Sequence, residues 1–260
     1  MHDWFREAEL LASTRRREIL HRLTAEGYVE AKALADELGV DASTIRRDLD
    51  TLARAGQAQR THGGARSVPG ATAKLPYAMK VGERLTEKAA IGLTAASRVL
   101  DGQTVILDSG STTFEVARAL RDRAGLTIIT NDLRIAKYVA ESPGTRLLVT
   151  GGELLGSVFT LVGEHAIRFL ADYTADWTFL GADAVDAETG VMNMNTLEVP
   201  LKRTMITAGK KTLVVADSSK IGRSALAKVA GIDEIEGVVT DSGLDTATAQ
   251  RFGDTLITAP

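Results

Sequence analysis

What most restricts the fold of this chain is a rhythm in its last two thirds. Short β-branched or apolar runs recur at 104–107, 127–130, 146–150, 178–181, 212–216 and 238–240. Between most of them lie segments of helical periodicity, such as 114–121 and 133–140, and a further helix is expected over 83–99. Parallel strands need a long crossover, and burial on both faces makes them uniformly apolar. The rhythm therefore predicts a mostly parallel sheet with helices on both faces. In such sheets ligands bind beyond the carboxyl ends of the strands.

Polar and glycine-rich residues follow those ends. They are Asp108-Ser109-Gly110-Ser111-Thr112-Thr113, Thr130-Asn131-Asp132, Gly151-Gly152-Glu153, Gly181-Ala182-Asp183 and Asp217-Ser218-Ser219-Lys220. One loop of this kind means little, since Gly, Ser and Asp are ordinary turn residues. Five on one sheet edge point to a site. Glycine permits close backbone approach, hydroxyls donate, and a helix starting near Thr113 would favour an anion at its N-terminus. The chemistry expected is a phosphate held by hydroxyls, backbone N–H groups and Lys220, with carboxylates and Asn131 facing sugar hydroxyls.

The first 66 residues have a different pattern. A helix is expected from 13 or 14 to about 25, with Ile19, Leu20 and Leu23 inward and Gly27 as its stop. A second, 31–38, turns Leu34 and Leu38 inward and ends at Gly39, with Val40 as a plug. In the third, 41–52, Asp41 is the cap, while Ile45, Leu49 and Leu52 form one stripe. Ser43, Arg47 and Arg54 lie opposite that stripe and Arg46 flanks it. Alone, such a helix reads as a solvated charged face. Two helices joined by a glycine turn, with arginines at the front of the second, have helix-turn-helix spacing. In 56–66 the pair Gly63-Gly64 is expected to supply the positive φ angles of a hairpin, placing Arg60, His62 and Arg66 on a wing. Residues 1–12 read as an extension. The Pro-, Gly- and small-residue-rich stretch 67–82 reads as a linker. The domains expected are 13–66, a helix-turn-helix with its wing, and 83–260, the α/β unit that carries the strand-end site.

Composition removes several classes. There is no cysteine, hence no disulfide framework or thiolate metal site, and the four histidines show no ligand spacing. No metal and no cofactor are expected. Arg15-Arg16-Arg17 precedes Glu18, not an apolar run, so a signal peptide is not expected, nor is a membrane span. A cytoplasmic location follows as the expectation. Net charge is only −3, so a nucleic-acid reading must rest on where the arginines sit.

Thr44-Ile45-Arg46-Arg47-Asp48-Leu49, followed by Arg60-Thr61-His62-Gly63-Gly64-Ala65, resembles the winged helix-turn-helix of DeoR-family bacterial transcriptional regulators. The strand-end motifs, in their order, resemble the effector domain of the same family, so the likeness runs from about Arg15 onward. Asp41 stands where serine is usual, Ala58 where a larger aliphatic is usual, and Ser111 where threonine is usual. The resemblance implies a small N-terminal winged helix-turn-helix followed by a larger, mostly parallel α/β domain of sugar-phosphate-isomerase type. It implies DNA contact by Arg15, Arg16, Ser43, Thr44, Arg46, Arg47, Arg60 and His62. It implies effector contact by Asp108, Ser109, Gly110, Ser111, Thr112, Thr113, Asn131, Gly152, Asp183, Glu198, Lys202 and Lys220.

Angular position makes Arg47 the base reader and Arg46 the phosphate contact, with Asp48 steering a neighbouring arginine. Arg15 and Arg16 either touch phosphates or start a solvated helix. Glu198 and Lys202 also admit a plain reading, an i,i+4 surface ion pair of about 0.2–0.5 kcal/mol. The function expected is repression of carbohydrate-metabolism genes from a double-stranded operator, released by a phosphorylated sugar or related metabolite. A small head needs repeated half-sites, so a homodimer or homotetramer is expected.

One rival is an enzyme. Gly181-Ala182-Asp183-Ala184-Val185-Asp186 resembles a stretch of ribose-5-phosphate isomerases. Asp183 would be the base and Lys220 the enediolate stabiliser. The Lys-Gly-Gly-Gly-type run that follows in those enzymes is absent here, where Ala187-Glu188-Thr189-Gly190 stands instead. A non-enzyme is therefore expected.

Overall fold

A computed structural model describes residues 12, 14–16, 18–20, 22, 23, 26–54, 57–67, 84–155 and 158–260. Nearly all of the expected extension 1–12 and linker 67–82 lies outside the described residues. The chain divides into two compact units, 1–83 and 84–260.

In the first unit the described residues between 12 and 26 are helical. Tyr28–Glu30 (β1), Ala31–Leu38 (α1), Ala42–Arg54 (α2), Ala58–Thr61 (β2) and Gly64–Ser67 (β3) follow. Gly39 ends α1 with φ +64°, its N–H donating to the Ala35 carbonyl. Ile19, Leu23, Leu34, Ile45, Leu49 and Leu52 are buried together, each contributing about 1.5–3 kcal/mol relative to exposure.

Two features of the wing differ from expectation. Only Gly63 has positive φ, +89°; Gly64 opens β3 opposite Thr61. Gly64 is needed for another reason, since a Cβ there would stand 2.0 Å from the Val29 carbonyl oxygen. The neighbour is β1, which pairs Val29 with Ala65 and makes the wing three-stranded, in the order β1-β3-β2. Three residues are too short a run for periodicity to announce a strand.

The second unit runs Leu85–Ala96 (α3), Thr104–Leu107 (β4), Ser111–Ala119 (α4), Thr127–Thr130 (β5), Leu133–Ala140 (α5) and Arg146–Val149 (β6). A hairpin, Glu153–Leu155 (β7) and Thr160–Val162 (β8), leads to Glu164–Ala171 (α6) and Trp177–Gly181 (β9). Then come Ala184–Asp186 (β10), Gly190–Asn193 (β11), Val199–Ala208 (α7), Thr212–Val215 (β12) and Ala227–Ala230 (β13). Gly237–Thr240 (β14), Thr246–Phe252 (α8) and Leu256–Thr258 (β15) complete it.

Seven strands form one sheet, ordered β15-β14-β12-β9-β4-β5-β6, and every pairing is parallel. Alternation along the strands feeds two cores. Ile106, Ile129, Leu180 and Val214 face α6 and α7, while Val105, Leu107, Phe179 and Val215 face α3, α4 and α5. A smaller antiparallel sheet, β10-β11-β13, stands beside the main one. The order in which strands are added to the main sheet reverses between β4 and β9, which sets the topological switch point there.

Candidate functional site

The carboxyl end of β4 meets that of β9 at the switch point, and a buried charge cluster fills the meeting. Asp108 follows β4 and is 1% exposed. Its Oδ2 accepts from the Gly181 N–H at 2.9 Å and from the Lys202 ammonium. Lys202 also donates to the Gly181 carbonyl at 2.8 Å. Burial alone would favour neutral Lys202; Asp108 and Glu198 outweigh it and carry the ammonium above its ordinary value. Glu198 is buried at the start of α7, where it accepts from Asn193 Nδ2 at 3.0 Å and Asn195 Nδ2 at 3.2 Å. The plain alternative for Glu198 and Lys202, a surface ion pair, is thus overturned. Both face inward, and the partner of Lys202 is 94 residues away.

The hydroxyl-rich loop after β4 begins its helix at Ser111, earlier than expected. Thr112 and Thr113 are buried, while Ser109, Gly110 and Ser111 are half-buried. The Gly110 N–H donates to Asp132 Oδ2 at 3.3 Å, tying the ends of β4 and β5 together. Asp132 caps α5 through the N–H groups of Arg134 and Ile135, and the Arg134 guanidinium forks onto it. Burial pushes Asp132 up to about 7 against those N–H donors, and lowers Arg134 to about 9. Asp132 entered the sequence reading only as the end of the Thr130-Asn131-Asp132 stretch and Arg134 not at all, although an aspartate directly before a helical run is a readable cap signal. Asn131 is 2% exposed. Its Nδ2 donates to the Leu161 carbonyl at 3.1 Å, and its Oδ1 has no partner among the described residues.

At the other strand ends, Asp183 accepts from the Met194 N–H at 2.9 Å, and Lys220 donates to the Ala182 carbonyl at 3.1 Å. Gly152 lies past β6 at the sheet margin. Its φ is +110° and a Cβ there would meet the Val162 carbonyl at 2.4 Å, so packing on the β7–β8 hairpin already requires a glycine. The Asp217–Lys220 loop is held from below by Asp241, at the end of β14. Asp241 accepts from the Ser218 N–H at 2.7 Å and the Ser218 hydroxyl at 2.8 Å. Burial would raise Asp241, but those donors, the Gly243 N–H and Arg84 hold it below its ordinary value. Arg84 and Asp241 went unread in the sequence because their chemistry depends on strands that are distant along the chain.

On the first unit, α2 buries Ile45, Asp48, Leu49 and Leu52 and exposes Ser43, Arg46 and Arg47, with Thr44 half-buried. The Ser43 N–H donates to Asp41 Oδ1 at 2.7 Å, which realises the cap. Arg15 and Arg16 are not the start of a solvated helix. Buried Asp48 draws in Arg15 Nε at 2.5 Å and Arg16 Nε at 3.8 Å. Arg60 is likewise engaged, with Asp50 at 2.7 Å and the Gly64 carbonyl at 2.5 Å, while His62 is exposed at the turn. Among the described residues, no helix is long and apolar enough to cross a membrane and no acidic, histidine or cysteine cluster could hold a metal.

A winged helix-turn-helix, followed in the chain by a parallel α/β unit whose strand ends gather buried charge, defines a DNA-binding transcription regulator. Family models agree: the DeoR-like helix-turn-helix domain matches residues 15–69 and the DeoR C terminal sensor domain matches 83–242. The chain belongs to the DeoR family. It is 34% identical to the transcriptional repressor AccR of Agrobacterium fabrum, over 89% of this chain and 90% of that protein. It is 30% identical to the glycerol-3-phosphate regulon repressor of Escherichia coli (strain K12), over 91% and 93%. Among solved structures, ribose 5-phosphate isomerase A of Methanocaldococcus jannaschii matches 51% of this chain and 52% of its own at 21% identity and TM-score 0.38. A likeness of that size carries no argument about activity.

Proposed function

We propose that this regulator is a repressor released by a phosphorylated sugar or a related phosphate ester bound at the carboxyl edge of its parallel sheet. The observation that carries the reading is the placement of Lys220, the 109–113 loop and the Asn131 carbonyl oxygen, which has no partner among the described residues, beyond the carboxyl ends of strands in one parallel run, β12-β9-β4-β5. Hydroxyls, backbone N–H groups and an ammonium suit a phosphate; amide and carboxylate oxygens suit sugar hydroxyls. The name of the E. coli relative, a glycerol-3-phosphate regulon repressor, supports the same class. Asp183 and Lys220, the two groups an isomerase would need, are held by backbone partners, which supports binding over catalysis.

On the DNA side, Arg47 reads base edges, Arg46 contacts phosphate and His62 meets the duplex from the wing. Arg15, Arg16 and Arg60 orient α2 and the wing from their carboxylate partners. Two or more copies act on repeated half-sites. The test is binding of the full chain to DNA from upstream of its own gene. It is titrated with ribose 5-phosphate, glucose 6-phosphate, fructose 6-phosphate, glycerol 3-phosphate and inorganic phosphate. At least one ester should weaken DNA binding by about 5- to 150-fold. No change with any of them overturns the effector reading, and isomerase turnover of an aldose phosphate overturns the non-enzyme reading.

A further inference from the structure

Arg84 is the first residue of the second unit and immediately precedes α3. Its φ is +52°, and among the described residues only Phe159 shares that region without being glycine. A side chain with a Cβ stays there only where its surroundings enforce it. The surroundings here are carboxylates. Arg84 Nη1 reaches Asp217 Oδ1 at 3.4 Å, Nη2 lies 3.6 Å from Asp241 Oδ2, and Nε reaches Glu87 Oε1 at 3.3 Å.

Asp217 and Asp241 are not incidental partners. Asp217 accepts from the Ser219 N–H at 3.2 Å and from the Ser219 hydroxyl, and Asp241 accepts twice from Ser218. Together they fix the loop that ends in Lys220. Each aspartate oxygen that Arg84 touches, Asp217 Oδ1 and Asp241 Oδ2, is therefore also an anchor of that loop. The two bridging contacts are longer than the 2.7–2.9 Å of well-formed charge-assisted bonds. A small loop movement can then tighten or release them.

We propose that Arg84 couples the effector site to the connection with the DNA-binding head, through its fork onto the two carboxylates that hold the Ser218–Lys220 turn. The proposal rests on the effector reading above. An anion drawn to Lys220 shifts the turn, the shift reaches Asp217 and Asp241, and the fork changes its grip. Arg84 then moves between its enforced left-handed backbone and the ordinary right-handed one. Arg84 is a positioning residue and touches no effector. Its backbone is a two-state element that both sites can bias.

The test uses the full chain, the upstream DNA and the same five phosphate compounds, with direct binding of each compound followed by calorimetry. Arg84→Gly removes the fork while tolerating positive φ. Arg84→Lys keeps a charge but replaces the planar fork, whose two Nη atoms reach the two aspartates separately, by a single point ammonium. Wild type should change its DNA affinity at least about fivefold with one ester. Arg84→Gly should bind that ester, and DNA without it, within about threefold of wild type, yet its response should fall below about twofold. Arg84→Lys should fall between the two, with a melting midpoint close to wild type to show that folding is intact. A full response in Arg84→Gly or Arg84→Lys overturns the proposal. So does loss of ester binding itself, which would make Arg84 part of the binding site. Silence of wild type toward every compound is a different result, read without any variant. It removes the effector reading and the coupling with it.

Discussion

An ammonium at 3% exposure persists at Lys202 because Asp108, at 1%, lies against it and the Gly181 carbonyl takes a second bond. Taking away one member leaves the other charged and dry. Lys202→Met should destabilise the protein by about 3–5 kcal/mol in urea unfolding, and adding Asp108→Asn should recover part of that loss. Full additivity would show that the two do not interact. Asp132 offers a pH signature. Its folded value of about 7 lies above its ordinary 3.8, so the folded state holds a proton that the unfolded state has released. The stability contributed is complete at low pH and is lost as pH rises toward 7. Relative to Asp132→Asn, wild type should lose up to about 1.4 kcal/mol per pH unit between about pH 4 and 7 and then level off. A difference that grows with pH would contradict burial as the cause. Sequence revealed Asp108 by its place after a strand, but Lys202 and Glu198 only through a resemblance; their partners are 94 and five residues away in the chain, distances that no periodicity encodes.

At the scale of elements, legibility followed length. The helix at Ala31–Leu38 and the strands at Thr104–Leu107 and Thr127–Thr130 were readable from their own patterns, because each meets its partners with a repeating face. Strands of three residues, such as β1, β10 and β15, carry too few alternations to show. The wing was found, but the need for its second glycine was misplaced. Gly63→Ala strains only a turn and should destabilise the head by about 1–2 kcal/mol, whereas Gly64→Ala drives a methyl into β1 and should abolish specific DNA binding. Equal effects on DNA affinity would refute the distinction. Along α2, Arg47→Ala should relax sequence preference by about 1–3 kcal/mol at one base pair. Arg46→Ala should weaken binding to all sequences alike and lower the salt slope by about one. Comparing operator and mutated operator across salt separates the two; the reverse assignment would exchange the arginines.

For the molecule as a whole, the division between Glu83 and Arg84 gives each unit its own core: the head's among its helices and short wing, the second unit's on both faces of its sheet. On the reading proposed above, a head this small reads few base pairs and copies act together on repeated half-sites. Sedimentation of the full chain with a two-half-site duplex should show at least two chains per DNA, and a single chain at saturation would refute joint action.

The order of the seven strands has a further consequence, for how the second unit comes into being. Strands β4, β5 and β6 are consecutive pairings, and so nearly are β9, β12, β14 and β15, but β4 and β9 meet across about seventy residues of chain. Each wing of the sheet can assemble from near neighbours, whereas the seam between them requires the largest loop closure. Refolding should therefore be limited by that seam. The amide of Asp108, bonded to Phe179, should gain protection from hydrogen exchange after the amides within either wing. The place where the charges gather is thus also the last to close.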